Sequence, residues 1–485
     1  FPAALLHNKY ALIIGSVILI VTEVYRISEY LSSIDVSASL LFAGSFLFVI
    51  LVGSGLLMLP NATLQPISYL QALFTATSAV CVTGLTVVDP PTVFTPLGKG
   101  ILLILIQIGG LGIMTFTGFF TYLFQGSATL RDRFLLKELF SGEHLGGMYK
   151  ILLKIVLITL LVEASGAVFL YYTLEGQWTH KIWSCVFHSI SAFCNAGFSL
   201  FPQGLYTPSI RNNYPFQTVI CILIILGGIG FPVLMTLYTF IKRIFSSLFA
   251  RLTNGKREWT PVALSISGRL AVGTTITLLA GGTLLYYLFE ISGPLANDSP
   301  AGQWMTAFFG SVTARTAGFN VVDMTLWSYP TVFLVIFLMW VGASPGSTGG
   351  GIKTTSLALA AKTVFNFCRG RQRLEIGNRE IGEATFIRVL SVIVLSLATI
   401  FAAFMILMLF DPAANPVHLL FECVSAFSTT GLSVVGTPTL SPYSQFVLIA
   451  LMFVGRIGPV ILLSGLLLTN TQKTYRLPVE DISIN

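Results

Sequence analysis

The sequence predicts an all-α integral membrane protein built from four tandem helix–pore-loop–helix repeats. Three observations predict it. The 485 residues are 54% hydrophobic and only 10% charged, with a mean hydropathy of +0.83. Soluble domains carry about 25% charge, so this surface is made for lipid. Long apolar runs alternate with short ones, and each short run ends in a glycine-centred tetrapeptide. The glycines Gly84, Gly197, Gly318 and Gly431 stand 113, 121 and 113 residues apart by subtraction, a spacing that sets a repeat architecture.

The long runs are Ser37–Leu59, Lys99–Phe120, Lys150–Tyr172, Phe216–Phe240, Arg269–Phe289, Val332–Val341, Arg388–Phe410 and Ser444–Leu468. Most reach the roughly 17–25 residues that a spanning helix needs. Within each pair lies a shorter segment: Ile67–Val80, Ile182–Cys194, Gly302–Thr313 or His418–Ser428. About 10–14 residues suit a re-entrant helix better than a span. The resulting organisation is an N-terminal helix over 1–36, repeats over 37–125, 126–250, 251–375 and 376–470, and a cytoplasmic tail over 471–485. The segment Tyr10–Val21 is apolar but short, and it either spans or lies at the interface.

Charge sets the topology. Arg131, Arg133, Lys137 and Lys150 fall between hydrophobic spans, as do Lys242, Arg243, Arg251, Lys256, Arg257 and Arg269, then Lys362, Arg369, Arg371, Arg373, Arg379 and Arg388. The opposite connections hold only Lys99, Lys181 and Arg211. Basic loops stay in the cytoplasm, so every repeat starts inside, dips back from outside and returns. The net charge of +7 therefore belongs to membrane topology, and no nucleic-acid partner is expected. The six cysteines show no metal spacing. His180, His188 and His418 show no ligand geometry.

Irregular backbone at membrane depth survives only where it is buried in protein or lines water. Four converging glycine loops meet that condition by lining a pore. Their carbonyls can replace the hydration shell of a cation, and glycine adds no side chain to block the path. A short helix whose C-terminus faces the loop adds the negative end of its dipole. Taken singly, each glycine could serve only as a turn.

The segments Thr75 to Thr86, Cys194 to Phe198, Arg315 to Asn320 and Ser428 to Leu432 resemble the four filters of the Trk/Ktr/HKT superfamily of K+ transporters. So do Ser344 to Thr355 and Gly455 to Pro459. The resemblance runs from Ser37 to the C-terminus and is nearest the Ktr branch, including the tail Pro478 to Ser483. The apolar stretch before Ser37 departs from that branch and is similar to the extra N-terminal helices of the TrkH branch. The resemblance implies a pseudo-fourfold, K+-channel-like pore for potassium uptake across the bacterial plasma (inner) membrane. It implies a filter of Val82, Thr83 and Gly84, then Asn195, Ala196 and Gly197, Thr316, Ala317 and Gly318, and Thr429, Thr430 and Gly431. K+ would sit at Thr83, Asn195, Thr316 and Thr430. It further implies a homodimer and a cytosolic RCK-type nucleotide-binding ring as partner, with Na+ as a candidate coupling or activating ion. No organic cofactor is expected in this chain.

Two intramembrane features point to a gate. Arg456 sits inside the last span, where insertion costs at least ~2.5 kcal/mol, so it faces the pore or a polar partner. It is either a positive barrier or a fastener between helices. The stretch Gly342–Thr355 cannot form a regular helix and is either a pore-lining loop or a kink. The gate residues expected are Gly346, Ser347, Thr348, Gly349, Gly350, Gly351, Lys353 and Arg456, with the loop's carbonyls and the Ser344, Ser347 and Thr348 hydroxyls as acceptors for the guanidinium. Glu163 and Glu422 also lie in apolar surroundings, and are expected to pack polar groups behind the filter rather than to serve as ion ligands. Asp89, Glu290, Asp323 and Asp411 form either an acidic vestibule or solvated loop charge. The rival functions are a secondary symporter, which commonly uses inverted repeats, a Na+-permeable relative, and the K+-binding subunit of an ATP-driven pump. No nucleophile–base arrangement or phosphate loop suggests an enzyme.

Overall fold

The computed structural model describes residues 38–123, 148–174, 176, 180–252, 264–296, 298–370, 375–376 and 379–466. The stretch 1–36, the tail 471–485 and the basic residues Arg131, Arg133, Lys137, Lys256, Arg257, Arg371 and Arg373 lie outside them.

The described chain is helical. In order it runs α1 (Ala38–Leu57), α2 (Tyr69–Val80), α3 (Pro96–Leu123), α4 (Met148–Thr173), α5 (Lys181–Phe193), α6 (Tyr214–Gly228) and α7 (Phe231–Leu252). It continues through α8 (Ile266–Glu290), α9 (Pro300–Thr313), α10 (Tyr329–Trp340), α11 (Thr354–Cys368), α12 (Glu383–Phe410), α13 (Pro416–Phe427), α14 (Pro442–Ile457) and α15 (Pro459–Leu466). Strands Glu375–Ile376 and Arg379–Glu380 make a small hairpin before α12.

Local chemistry starts the short helices where they must start. Ser68 accepts from the Gln71 amide while Gln71 Oε1 accepts from the Ser68 amide, a capping box at α2. Ser299 and Asn415 cap α9 and α13, each followed by proline at the first helical position. The four short helices carry their C-terminal halves into the centre. From Thr75 to Val80 every residue of α2 is buried, and Phe421 to Phe427 of α13 likewise.

The outer helices are the reverse. Leu390, Val394, Leu397 and Phe401 of α12 form an exposed stripe at helical spacing, as do Leu153, Leu157, Leu160 and Leu161 on α4. Apolar faces turned outward along long helices belong in lipid.

By length and composition, Leu152–Thr173, Ile266–Glu290 and Ala384–Phe410 can cross a membrane. Among the described residues, a fourth crossing would be the bent pair Tyr214–Gly228 and Phe231–Ile244. Eight long runs are expected from the sequence, and three of them are interrupted for a backbone reason. The run Phe216–Phe240 is two helices meeting at 110°. The run Ser444–Leu468 also divides, at Gly458. Gly230 (φ +96) and Gly458 (φ +95) stand just before Pro232 and Pro459, which cannot supply the helical amide. The run ending at Val341 stops in a loop of twelve residues before α11.

Three of the four carboxylates expected near the outer face hold helix starts, Asp323 by accepting from the Thr325 amide at 3.0 Å at the head of the short helix Met324–Leu326. Glu290 Oε1 accepts from the amide and hydroxyl of Ser328 at the head of α10, at 2.9 and 2.7 Å. Asp411 accepts from the amide and hydroxyl of Ser441 at the head of α14.

Candidate functional site

Each short helix ends in a reversal of backbone hand. Val82 (φ 56), Asn195 (φ 59), Thr316 (φ 66) and Thr429 (φ 52) all take positive φ, uncommon for side chains and least so for asparagine. Two residues later Gly84, Gly197, Gly318 and Gly431 do so again, while Thr83, Ala196, Ala317 and Thr430 between them do not. The amide of Thr83 bonds the Ser78 carbonyl at 2.7 Å. Ala196 bonds Ser191 at 2.7 Å, and Thr430 bonds Ser425 at 2.9 Å. Ala317 bonds Thr313 at 3.1 Å, one residue closer in sequence.

The loops meet in a closed cycle. A Cβ on Gly84 would lie 2.6 Å from the carbonyl oxygen of Ala196, and one on Gly197 2.8 Å from that of Ala317. A Cβ on Gly318 would strike the Thr430 carbonyl, and one on Gly431 the Thr83 carbonyl. Each glycine therefore lies against the middle carbonyl of the next loop, in the order 84, 197, 318, 431 and back to 84. Only glycine combines the positive φ with that approach. Asn195 joins the Thr316 hydroxyl at 3.3 Å, and the Thr83 hydroxyl is buried without a partner among the described residues.

Directly beside this ring lies the Gly342–Lys353 loop. The Gly350 amide donates to Thr429 Oγ1 at 3.0 Å, and a Cβ on Gly349 would strike Thr316 Oγ1. Other bonds moor the loop to the broken α6: Ser344 N to Gly228 O at 3.0 Å, Thr348 N to Gly227 O at 3.3 Å, and Phe231 N to Gly346 O at 2.8 Å. Lys353 Nζ donates to the Gly349 carbonyl at 2.7 Å.

Arg456 is buried in α14 and reaches into the same space. One terminal nitrogen donates to the Thr348 carbonyl, and the other to the Gly109 carbonyl of α3 at 2.6 Å. The structure thus brings Gly346–Gly351, Lys353 and Arg456 together beneath the glycine ring. Of the acceptors expected, a loop carbonyl is used and the hydroxyls are not. The guanidinium uses carbonyls. The Ser344 hydroxyl is engaged with Thr354 and the Thr348 hydroxyl donates to Phe193 O, while Ser347 Oγ is buried and unpartnered among the described residues.

A profile of the family described as "TrkH: Cation transport protein" matches residues 45–470. The chain belongs to the TrkH cation transport family. The Ktr system potassium uptake protein B of Vibrio alginolyticus is 38% identical over 422 residues, covering 86% of this chain and 89% of that protein. The potassium/sodium uptake protein NtpJ of Enterococcus hirae is 32% identical over 456 residues, covering 92% and 96%. The solved potassium transporter TrkH of Vibrio parahaemolyticus matches with a TM-score of 0.61 at 20% identity, covering 88% and 85%, a likeness of fold.

In this TrkH-family chain, three further groups serve the site. Ser78 and Ser425 accept from the amides of Gly84 and Gly431 at 3.0 and 3.1 Å, while Ser191 donates to Phe198 O at 2.8 Å. Their signal is a serine six residues before the glycine. Gly109, Gly227 and Gly455 let α3, α6 and α14 lie on the last carbonyls of α2, α5 and α13, those of Val80, Phe193 and Phe427. The next residues are Gly110, Gly228 and Arg456, so the arginine stands where two sister helices carry glycine. Glu163 receives Gln107 Nε2 at 3.2 Å and the Cys194 thiol at 3.7 Å, tying α3, α4 and the end of α5 together.

Proposed function

We propose that this chain is the pore-forming subunit of a bacterial potassium uptake system. The single observation that carries the reading is the closed cycle of glycine and carbonyl around Gly84, Gly197, Gly318 and Gly431. The four helix–loop–helix units, over 37–125, 126–250, 251–375 and 376–470, form a pseudo-fourfold pore. The carbonyls of Thr83, Ala196, Ala317 and Thr430 and their neighbours replace the water around K+. The paired positive φ values before and at each glycine support it, because alternating hand turns successive carbonyls to one side. The C-termini of α2, α5, α9 and α13 point their partial negative charge at the same place. The Thr83 hydroxyl, buried and unpartnered among the described residues, is a further oxygen for the ion.

The loop Gly346–Gly351 with Lys353 and Arg456 is the gate. The loop fills the path beneath the ring, and the two cations repel an ion waiting there. Opening requires Arg456 to leave the Thr348 and Gly109 carbonyls and the loop to swing aside. The subunit spans the inner membrane many times with its basic loops in the cytoplasm, pairs as a homodimer, and answers to a cytosolic nucleotide-binding ring.

Purified protein in liposomes tests the reading. It predicts K+ flux well above Na+ flux, responsive to the nucleotide-binding partner. A second reading adds Na+ as a permeant or coupling ion, which the potassium/sodium uptake name of the Enterococcus relative favours. Flux of Na+ equal to that of K+ would select it, and no cation flux would refute both.

A further inference from the structure

The chain leaving the glycine ring is held by a buried hydrogen-bond acceptor in the second and fourth units, which are diagonal, and not in the first and third. His188 of α5 lies three residues before Ser191, and Glu422 of α13 three residues before Ser425. Ser191 and Ser425 are equivalent, since each carbonyl receives the amide of the middle loop residue. His188 and Glu422 thus occupy one structural position, and both are fully buried. His188 Nδ1 lies 2.7 Å from the Ser184 carbonyl, which makes that nitrogen the donor. Its Nε2 is then an acceptor, and it receives the Ser199 hydroxyl at 2.9 Å and the Leu200 amide at 3.4 Å. Phe201 stacks on the imidazole with centroids 4.2 Å apart. Glu422 Oε1 accepts the hydroxyl of Thr437.

Adjacent units lack this device. The matching residue of α2 is Thr75, whose hydroxyl returns to its own helix at the Gln71 carbonyl, 2.8 Å away. That of α9 is Gly310, with the Tyr286 ring packed where a side chain would stand. The ring order 84, 197, 318, 431 places the His188 and Glu422 units across the pore from each other.

We propose that His188 and Glu422 are positioning residues for ion selection, acting as hydrogen-bond acceptors that hold the ring open along one diagonal. The inference rests on the proposed potassium pore. A smaller ion is rejected only if the carbonyls resist closing around it. Bonds in a buried, low-dielectric setting supply that resistance, and they act on the segments that follow Gly197 and Gly431. Neither group touches the ion.

The test measures K+ and Na+ flux, and the KM for K+, in liposomes for wild type and variants. Ser199→Ala and Thr437→Val each remove one hydroxyl donor of the loop and leave the buried groups in place. Each is expected to raise the Na+/K+ flux ratio about threefold to tenfold, the scale of one hydrogen bond. Glu422→Leu should shift it at least as far, whereas Glu422→Gln, which keeps an acceptor oxygen, should stay near wild type. Ser199→Ala and Thr437→Val proteins that elute like wild type and keep its ratio and KM would overturn the proposal. So would Glu422→Gln matching Glu422→Leu. A wild-type protein that carries no K+ would instead refute the proposed function.

Discussion

The glycine ring and the layer beneath it are built on opposite plans. In the ring, four loops repeat one arrangement: a positive-φ residue, a middle residue, a glycine against the next carbonyl. Beneath it the symmetry is gone. Where α3 and α6 carry Gly110 and Gly228, α14 carries Arg456, and the chain after α10 opens into a loop. A site that must grip a spherical ion gains from equivalent ligands on all sides. A site that must open and close needs one element free to move, which symmetry would forbid. The account therefore assigns selection to the ring and control to the layer beneath.

Breaking the ring should have the largest effect. Gly84→Ser places a Cβ 2.6 Å from the Ala196 carbonyl on a positive-φ backbone, so the carbonyls must shift. The Na+/K+ flux ratio is expected to rise by tenfold or more, about 1.4 kcal/mol of lost discrimination. An unchanged ratio in a folded variant would contradict the assignment. Breaking the lower layer should change amount rather than kind. Arg456→Ala, or deletion of Gly346–Gly350, is expected to raise basal K+ flux several-fold and weaken dependence on the regulatory partner, with little change in ion ratio. If Arg456 only fastens helices, the same preparation will show a lost dimer or misfolding and no gain in flux.

A smaller effect sharpens the boundary between the layers. Gly230→Ala forces a Cβ onto φ +96 and within 2.6 Å of the Pro345 carbonyl. It should lower thermal stability by about 1–2 kcal/mol and displace the loop, raising basal flux without altering selectivity. The smallest effect is expected from Ser425→Ala, which strands the Gly431 amide at a cost of about 1 kcal/mol and a modest rise in Na+ flux.

Much of the ring was legible because its key residues recur. A glycine after a short apolar run, four times at similar spacing, is a pattern in one dimension. The breaks at Gly230 and Gly458 were not read, although Gly230-Phe231-Pro232 and Gly458-Pro459 carry the signal. Apolar composition continued through them and masked it. A loop carbonyl as acceptor for Arg456 was legible from the loop's composition, but the Gly109 carbonyl was not, because carbonyl direction is set by the chain's path and leaves no mark in residue type. The same holds for the order in which the loops meet. His188 and Glu422 share no chemistry in sequence; their equivalence appears only when each is measured from its own helix end.

The most direct measurement is anomalous diffraction from crystals grown with Rb+ or Tl+ in place of K+. The account predicts density on the axis of the ring, ligated by the carbonyls of Thr83, Ala196, Ala317 and Thr430. An empty ring with the ion bound elsewhere in the protein would contradict it.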